Sequence, residues 1–340
     1  MSRANTAMVK LISSPLQTSQ CPSKNRVTRP LSIGLYQMKW HEDLVTHLAH
    51  LHAGVAACAS AGADIVFLPE LTLSRYPADT RPQNAADRTP ESLLDGPTIN
   101  FTRKAAVENQ VYVQASLYEA VDRNDGLGFN TAILVNPAGD LVAKTRKLHI
   151  PVTEGYFEDH YFAEGPSESP YPVHSMTIGE ASINLGLPTC WDEWFPEVAR
   201  SYGLRGADIL SYPTAIGSEP DHPNFNTRPL WQKVITGHAI ANGLFIAVPN
   251  RTGREGLISF YGGSFIVDPF GRMLVEAPAD EEVAMVAEID LAQRQDWLQL
   301  FPFFGTRRPE TYSALTDPRV NARTDSGEGE SGPIPGLTWR

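Results

Sequence analysis

The sequence is poor in cysteine and has no long apolar segment. Its three cysteines, Cys21, Cys58 and Cys190, lack metal-ligand spacing, which argues against a disulfide framework and favours a reducing compartment. No run approaches the ~20 apolar residues that a membrane helix needs. The formal net charge of −11 leaves no basic footprint for nucleic acid. We therefore expect a cytoplasmic protein without membrane or nucleic-acid partners.

Acidic residues are missing from positions 1–41, which carry six Lys or Arg, whereas the remainder carries 22 basic and 39 acidic residues. Organelle transit peptides are also acid-free, but a disordered extension over residues 1–30 is the favoured interpretation. Residues 316–340 contain four glycines and three prolines and are predicted to form a flexible tail. These boundaries leave residues 31–315 for the folded domain.

Within that domain, apolar segments of strand length alternate with helical patterns. Two turns, Asn136–Gly139 and Asp268–Gly271, each place Asn or Asp first, Pro second and Gly fourth, and each joins two apolar strands. This repetition suggests a duplicated half. Because hairpins do not fit a simple parallel sheet, the sequence predicts a four-layer α-β-β-α sandwich, with two mixed sheets between helices. The predicted strands are Leu31–Met38, Asp64–Pro69, Val111–Glu119, Asn130–Val135, a strand leading to Lys147, Ile183–Leu187, Asp208–Tyr212 and Leu244–Pro249, and the predicted helices are Glu42–Ala61, Thr98–Glu108, Pro196–Arg205 and Leu230–Asn242.

Three reactive side chains directly follow predicted strands. Glu70 follows DIVFLP, Lys147 follows the strand ending near Arg146, and Cys190 follows INLGL, before a turn and a helix. Ligands gather at the carboxyl ends of strands in α/β sheets, so these groups are expected to converge. Helix amides behind Cys190 are expected to lower its pKa. A thiol, an ammonium and a carboxylate together suit nucleophilic attack on a carbonyl or nitrile carbon.

Each residue also has a purely structural interpretation. Taken alone, Cys190 is better explained as a buried, inert thiol, because free cysteines are more often core residues than reactive groups. Glu70 could cap a turn, and Lys147 could be a solvated base or form an ordinary ion pair. Cys58 continues an apolar helical stripe and is predicted to be a core position.

Six segments in order resemble the motifs of the nitrilase superfamily of carbon–nitrogen hydrolases. Two of them are most similar to its N-carbamoylputrescine amidase branch, namely CWDEWFPE and PTAIGSEP. The similarity extends from about Leu31 to Tyr312. The six segments are LPELTLSRY, KLHIPVTEGYFEDHYFAEG, CWDEWFPEVAR, YPTAIGSEP, GHAIANGLFIAVPNRTG and YGGSFIVDPFG.

This resemblance implies a catalytic Glu-Lys-Cys triad. Glu70 would be the general base, Lys147 the cationic stabiliser and Cys190 the nucleophile, with the Trp191 amide completing the oxyanion hole. Glu158 matches a further family glutamate that helps to orient the site, although Asp159 stands where lysine is usual. No metal or organic cofactor is implied. The triad contains no histidine, so His149 and His238 are expected to be structural.

The same resemblance implies hydrolysis of a small amide or N-carbamoyl amine, with N-carbamoylputrescine as the first choice. Such a substrate has a distant positive charge, for which Glu219, Trp191, Trp194 and Tyr156 are the candidate contacts. Glu219 could instead cap a turn. Unusual loops after Glu70 and the Pro188-Thr189 pair leave open an N-carbamoyl amino acid, such as β-ureidopropionate, or an aliphatic amide.

Two further alternatives are a nitrilase and a catalytically silent binding or assembly module. The family also pairs its sandwiches through helix faces. We therefore expect a homodimer or a higher homo-oligomer.

Overall fold

The structure is a computed structural model that describes residues 9–316. A compact unit extends to Phe301, and Pro302 begins a second, short unit. The described part of the short unit has two 3₁₀ turns, Pro309–Thr311 and Ser313–Thr316. The predicted tail beyond residue 316 lies outside the described residues.

Strands and helices alternate through the large unit. Its described α-helices are α1 (Leu44–Ser60), α2 (Pro97–Asn109), α3 (Pro196–Leu204), α4 (Arg228–Asn242) and α5 (Ala292–Leu300). Its described strands are β1 (Lys10–Ser14), β2 (Pro30–Lys39), β3 (Ile65–Phe67), β4 (Tyr112–Glu119), β5 (Phe129–Val135), β6 (Leu141–Arg146), β7 (Val173–Ile178), β8 (Ala181–Gly186), β9 (Ile209–Ser211), β10 (Phe245–Val248), β11 (Arg251–Glu255), β12 (Ile258–Tyr261), β13 (Phe265–Val267), β14 (Met273–Glu276) and β15 (Val283–Asp290). The ends of the predicted strands and helices differ from these bounds by one or two residues in most cases.

The strands form two mixed sheets. One has the order β1-β15-β2-β3-β4-β5-β6, with β11 paired to β2 and to β12. The other has the order β14-β13-β10-β9-β8-β7. Within the first sheet, β2, β3 and β4 are parallel and β5 and β6 follow antiparallel. In the second sheet β8, β9 and β10 are parallel, and β13 and β14 follow antiparallel.

Three apolar cores separate the layers. The central core joins the inner faces of both sheets, with Ile33 and Phe67 from one and Leu185 and Ile209 from the other. A second core packs α1 and α2 against the first sheet, and a third packs α3 and α4 against the second sheet. Cys58 lies in the second core and is fully buried, as expected. The layers confirm the predicted α-β-β-α sandwich.

The two predicted hairpin turns have the same hydrogen bonds. The Asn136 side-chain oxygen accepts from the amides of Ala138 and Asp140, and Asp268 Oδ1 accepts from those of Phe270 and Arg272. The first turn joins β5 to β6 and the second joins β13 to β14. Together with the matching strand directions, this gives both halves a β-α-β-α-β-β-β arrangement, which β11 and β12 interrupt after β10 in the second half.

The N-terminal segment differs from its prediction. Residues 9–30 are ordered against the domain, because β1 pairs in parallel with β15. Further along, Arg26 forms ion pairs with both Asp290 and Asp296, and Asp296 also accepts a hydrogen bond from the Ser23 amide. The expectation of disorder for residues 1–30 is therefore wrong for residues 9–30. The Arg26 side chain meets acidic partners more than 250 residues away, which the local composition does not reveal.

Candidate active site

Three buried charged groups form a hydrogen-bonded cluster. The Lys147 ammonium lies 2.9 Å from Glu70 Oε1 and 2.7 Å from Glu158 Oε2. All three side chains are at most 1% exposed. Burying one cation between two carboxylates requires close pairing, since an unpaired buried charge is costly. Of the four residues predicted to be catalytic, the structure therefore joins three, Glu70, Lys147 and Glu158, by direct hydrogen bonds.

The sheet architecture explains how these residues meet. Glu70 follows β3 and Lys147 follows β6, and these strands point the same way in one sheet. Glu158 begins a short 3₁₀ turn, Glu158–His160. Asn130 on β5 lies between the two strand ends, where its Nδ2 donates to Glu70 Oε1 at 2.7 Å. The Ser116 hydroxyl donates to the Asn130 side-chain oxygen at 3.1 Å and so fixes the direction of the amide.

Two further residues that sequence reasoning missed hold Glu158 and the backbone around Glu70. The Tyr76 hydroxyl donates to Glu158 Oε1 at 2.8 Å. Arg251 on β11 donates to the backbone carbonyls of Glu70, Leu71 and Ser74, and it is paired with Glu255. Arg251 comes soon after β10, so the strand-end rule that singled out Glu70 would also have indicated Arg251. No spacing in the sequence indicates Tyr76.

Cys190 opens a 3₁₀ turn, Cys190–Trp194, rather than the α-helix itself, which begins at Pro196. Its φ is +41°, in the left-handed region that non-glycine residues rarely occupy. Leu71, next to Glu70, has a φ of +50°. Strained backbone of this kind persists only where surrounding contacts enforce it. One such contact is the Cys190 amide, which donates to the Pro213 carbonyl at 3.0 Å.

The pKa of the Cys190 thiol is shifted in the opposite direction from the sequence prediction. Burial raises the pKa of Cys190 well above its ordinary value, and the nearby Glu70 carboxylate raises it further, while Lys147 opposes the increase. The prediction that helix amides lower this pKa is wrong, because the thiol is 6% exposed and its water has been removed. Cys190 is therefore a neutral thiol at rest.

The cluster also shifts the pKa values of its own members. Burial, with the neighbouring Glu70 charge, raises the pKa of Glu158 to about 7 despite the nearby Lys147 ammonium. Burial alone would lower the pKa of Lys147, but Glu158 and Glu70 raise it well above its ordinary value. Lys147 consequently keeps its positive charge across the physiological pH range.

Asp192 ties the lysine segment to the cysteine turn. Its carboxylate accepts hydrogen bonds from the amides of Thr189 and His149, and it pairs with His149 Nδ1 at 2.7 Å. The His149 ring also stacks on Phe195. His238 Nε2 contacts the Glu193 carbonyl at 3.0 Å. Both histidines thus contact residues that flank Cys190 in sequence, which suits the structural role expected for them.

The candidate substrate contacts extend away from the thiol. Tyr156 is buried, and its hydroxyl donates to the Ser218 carbonyl and accepts from the Gly217 amide. The next residue, Glu219, is half-buried, and its carboxylate accepts from the Thr227 hydroxyl at 3.4 Å. Burial raises the pKa of Tyr156 well above its ordinary value, and so do the charges of Glu219 and Cys190. Tyr156 therefore lies near both.

Two tryptophans flank the cysteine turn. Trp191 and Trp194 are partly exposed, with ring centroids 6.4 Å apart. The Trp194 indole nitrogen is buried without a hydrogen-bond acceptor. Trp191 and Trp194 thus lie in the same turn as Cys190, and Tyr156 contacts the segment that precedes Glu219.

One group among the described residues has metal-ligand chemistry. His41, His50 and Glu282 offer ligand atoms within 4.8 Å of one another. Each oxygen of the Glu282 carboxylate already lies 2.7–2.8 Å from one imidazole nitrogen. These pairs account for the arrangement as an ionic hydrogen-bond cluster. It does not include the residues around Cys190.

Comparison with known proteins identifies the family to which this chain belongs. The family model described as carbon-nitrogen hydrolase matches residues 32–299. A citrullinase from Francisella tularensis is 31% identical over 289 residues, covering 84% of this chain and 98% of that protein. An N-carbamoylputrescine amidase from Arabidopsis thaliana is 32% identical over 295 residues, covering 84% and 95%. The crystal structure of a carbon-nitrogen hydrolase from Helicobacter pylori G27 has a TM-score of 0.75 at 30% identity, covering 86% of this chain and 100% of that one.

The sandwich and its buried cluster define a hydrolase of the nitrilase superfamily, as the sequence motifs suggested. Within that class, the chain belongs to the carbon–nitrogen hydrolase family. It is an enzyme that hydrolyses carbon–nitrogen bonds other than peptide bonds. Among residues 9–316, no helix is both long and apolar enough to span a membrane.

Proposed function

We propose that this protein hydrolyses N-carbamoyl amines, with N-carbamoylputrescine as the preferred substrate, through a thioester on Cys190. The observation that carries the proposal is the Lys147 ammonium buried between the Glu70 and Glu158 carboxylates, with the neutral Cys190 thiol in their field. Relatives named for N-carbamoylputrescine and for citrulline support a ureido substrate, because both compounds contain an R-NH-CO-NH₂ group.

In the first half of the reaction, the Cys190 sulfur attacks the ureido carbon as Glu70 takes the thiol proton. The oxygen becomes negatively charged and is stabilised by Lys147 and the backbone amide of Trp191. Glu70 then gives its proton to the departing nitrogen, and one carbon–nitrogen bond breaks. The Lys147–Glu70 contact keeps the Glu70 carboxyl group oriented during these two transfers.

In the second half, Glu70 removes a proton from water, which attacks the thioester carbon. The sulfur leaves and recovers its proton, and the carbamate formed loses carbon dioxide and releases the remaining nitrogen. The sum is one ureido group plus one water giving an amine, ammonia and carbon dioxide. Glu158 does not transfer a proton here; it holds Lys147, with Tyr76 fixing its other oxygen.

Recognition of the distant amine is assigned to Glu219. Its half-buried carboxylate accepts a hydrogen bond from the Thr227 hydroxyl, eight residues further on. Tyr156 lies near both Cys190 and Glu219, so a substrate that contacts both groups must extend past this aromatic ring. A diamine whose ammonium meets a carboxylate and aromatic faces suits this arrangement. Trp191 and Trp194 are proposed to supply those faces.

A comparison of substrates and variants tests the proposal. Purified protein is assayed for ammonia release from N-carbamoylputrescine, β-ureidopropionate, citrulline and a simple aliphatic amide. We expect the highest kcat/KM for N-carbamoylputrescine and a loss of at least about 10³-fold in Cys190→Ala. Cys21→Ala, which removes a thiol elsewhere, is the matched control and should remain active. Unchanged release by Cys190→Ala would disprove the thioester route.

Glu219→Gln separates recognition from chemistry in the same assay. It should raise KM for N-carbamoylputrescine about tenfold or more and leave the uncharged amide unaffected. Equal effects on both substrates would reject Glu219 as the amine contact. Preference for β-ureidopropionate would instead favour N-carbamoyl amino acids, and absence of turnover on every substrate, including a nitrile, would favour a binding or assembly module. The cytoplasmic location and the homo-oligomeric state stay predictions.

A further inference from the structure

Glu193 is a buried acid that the proposed mechanism does not use. It lies three residues after Cys190 in the same 3₁₀ turn, and its side chain is fully buried at 0% exposure. Carboxyl groups are rarely buried to this extent unless they are paired or neutral. The hydrogen bonds around it show which of these applies.

The proton count at Thr214 identifies the neutral form. The Thr214 hydroxyl oxygen lies 2.7 Å from the Tyr212 carbonyl oxygen and 3.2 Å from Glu193 Oε2. A hydroxyl has one proton, and a carbonyl oxygen only accepts, so that proton goes to Tyr212 in the shorter contact. The contact with Glu193 then needs a proton from the carboxyl group. Glu193 therefore donates to Thr214 as a neutral acid.

The surroundings agree with this proton count. Burial raises the pKa of Glu193 well above its ordinary value and outweighs the hydrogen bonds with Trp231 and Thr214, which lower it; the Glu70 charge raises it further, while Lys147 opposes the increase. The other titratable groups near this carboxyl are Cys190, Tyr212, Tyr261 and, at the Glu193 backbone carbonyl, His238. Lys147 is thus the cation among them, and it is already paired with two carboxylates.

Thr214 belongs to the segment that lies between nucleophile and base. The Pro213 carbonyl accepts from the Cys190 amide at 3.0 Å, and the next carbonyl, of Thr214, accepts from the Glu70 amide at 3.4 Å. Two successive carbonyls therefore fix the backbones of both residues. The Thr214 side chain, which Glu193 contacts, projects from the same segment.

We propose that neutral Glu193 is a positioning residue that holds the Pro213–Thr214 segment between Cys190 and Glu70, and that its ionisation at alkaline pH stops hydrolysis. Ionisation would set two acceptor oxygens against each other at the Thr214 contact. It would also place a second negative charge near the thiol, and a Glu193 charge raises the pKa of Cys190. Both effects reduce the rate at which Glu70 can activate the thiol.

The inference rests on the proposed function, and the pH profile of Glu193→Gln tests it. Glutamine keeps the shape and a donor to Thr214, but it cannot ionise. Wild-type log kcat/KM for N-carbamoylputrescine, or for the best substrate found, should fall by about one unit per pH unit above the ionisation of Glu193, and Glu193→Gln should lack this fall. Exposed Glu197→Gln removes a nearby carboxylate and should follow the wild type. Coincident alkaline limbs in Glu193→Gln and wild type would overturn the proposal.

Two variants of Thr214 test the Pro213–Thr214 segment directly, and they decide the proposal if Glu193→Gln does not fold. Thr214→Val should lower kcat about tenfold or more, whereas Thr214→Ser, which retains the hydroxyl, should restore it. Wild-type kcat and pH profile in Thr214→Val would also overturn the proposal. Failure of the thioester mechanism is recognised separately, by activity in Cys190→Ala.

Discussion

At the scale of single residues, the site is organised by charge pairing among fully buried side chains. Lys147 is the centre of this pairing, since it satisfies Glu70 and Glu158 at once. Asn130 adds a second hydrogen bond to Glu70 Oε1 and Tyr76 donates to the other oxygen of Glu158, whereas Glu70 Oε2 is buried without a hydrogen-bond donor among the described residues. The same few hydrogen bonds thus hold these buried side chains in position and determine their charge, so a substitution that moves one of the groups also affects its charge.

Replacement of Lys147 by methionine should harm both activity and stability. It leaves two carboxylates buried without their cation, which we expect to lower the free energy of unfolding by about 3–5 kcal/mol and to abolish hydrolysis. Urea unfolding and ammonia release measure the two effects. Lys144→Met is the matched control, because Lys144 is exposed and lies 3.8 Å from Glu119. A Lys147→Met protein as stable as Lys144→Met would contradict the buried pairing.

At the scale of elements, the strand ends were the informative positions. Glu70, Lys147 and Cys190 could be predicted because each directly follows an apolar strand, and strand ends share an edge of the sheet. Tyr76 and Asn130 could not, since their bonds to Glu158 and Glu70 join residues 82 and 60 positions apart. Strands β7, β11, β12 and β15 and helix α5 were also missed. Polar residues interrupt β7 and β11, and pairing with distant strands decides the structure of such segments.

Strand β1 shows the same limit and permits a test. Ile12 packs against the inter-sheet core, whereas its neighbour Leu11 is 46% exposed. Ile12→Asp should therefore lower the free energy of unfolding by about 1–3 kcal/mol, and Leu11→Asp should have little effect. Thermal and urea unfolding of both variants provide the measurement. Equal stabilities would mean that β1 contributes nothing to the sheet in solution.

At the scale of the whole molecule, the duplicated halves divide the chemistry between them. The first sheet supplies Glu70 and Lys147 after β3 and β6, and the second supplies Cys190 after β8. The sequence motifs and paired turns were enough to predict this architecture. The motifs and turns did not reveal that the Cys190 thiol is neutral, because its desolvation depends on all the residues that pack against it.

The buried cluster should also make stability depend on pH. The pKa of Glu158 is raised from 4.5 to about 7, so the folded protein holds this proton more tightly than the unfolded chain. The resulting stabilisation is complete below pH 4.5 and is lost as pH rises through about 7. The stability of wild type relative to Glu158→Gln should fall by about 3 kcal/mol over this window in urea unfolding. Exposed Glu154→Gln should show no such trend, and a difference that rises with pH would contradict the assignment.

The neutral state of Cys190 has a consequence for damage by oxidants. Peroxide converts thiolates to sulfenic acid and attacks protonated thiols slowly. Burial and the adjacent carboxylates keep the resting thiol protonated, and in the proposed mechanism the thiolate forms only as the sulfur attacks the substrate carbon. On that mechanism, the environment that makes Cys190 depend on Glu70 is also expected to protect the idle enzyme from inactivation by peroxide.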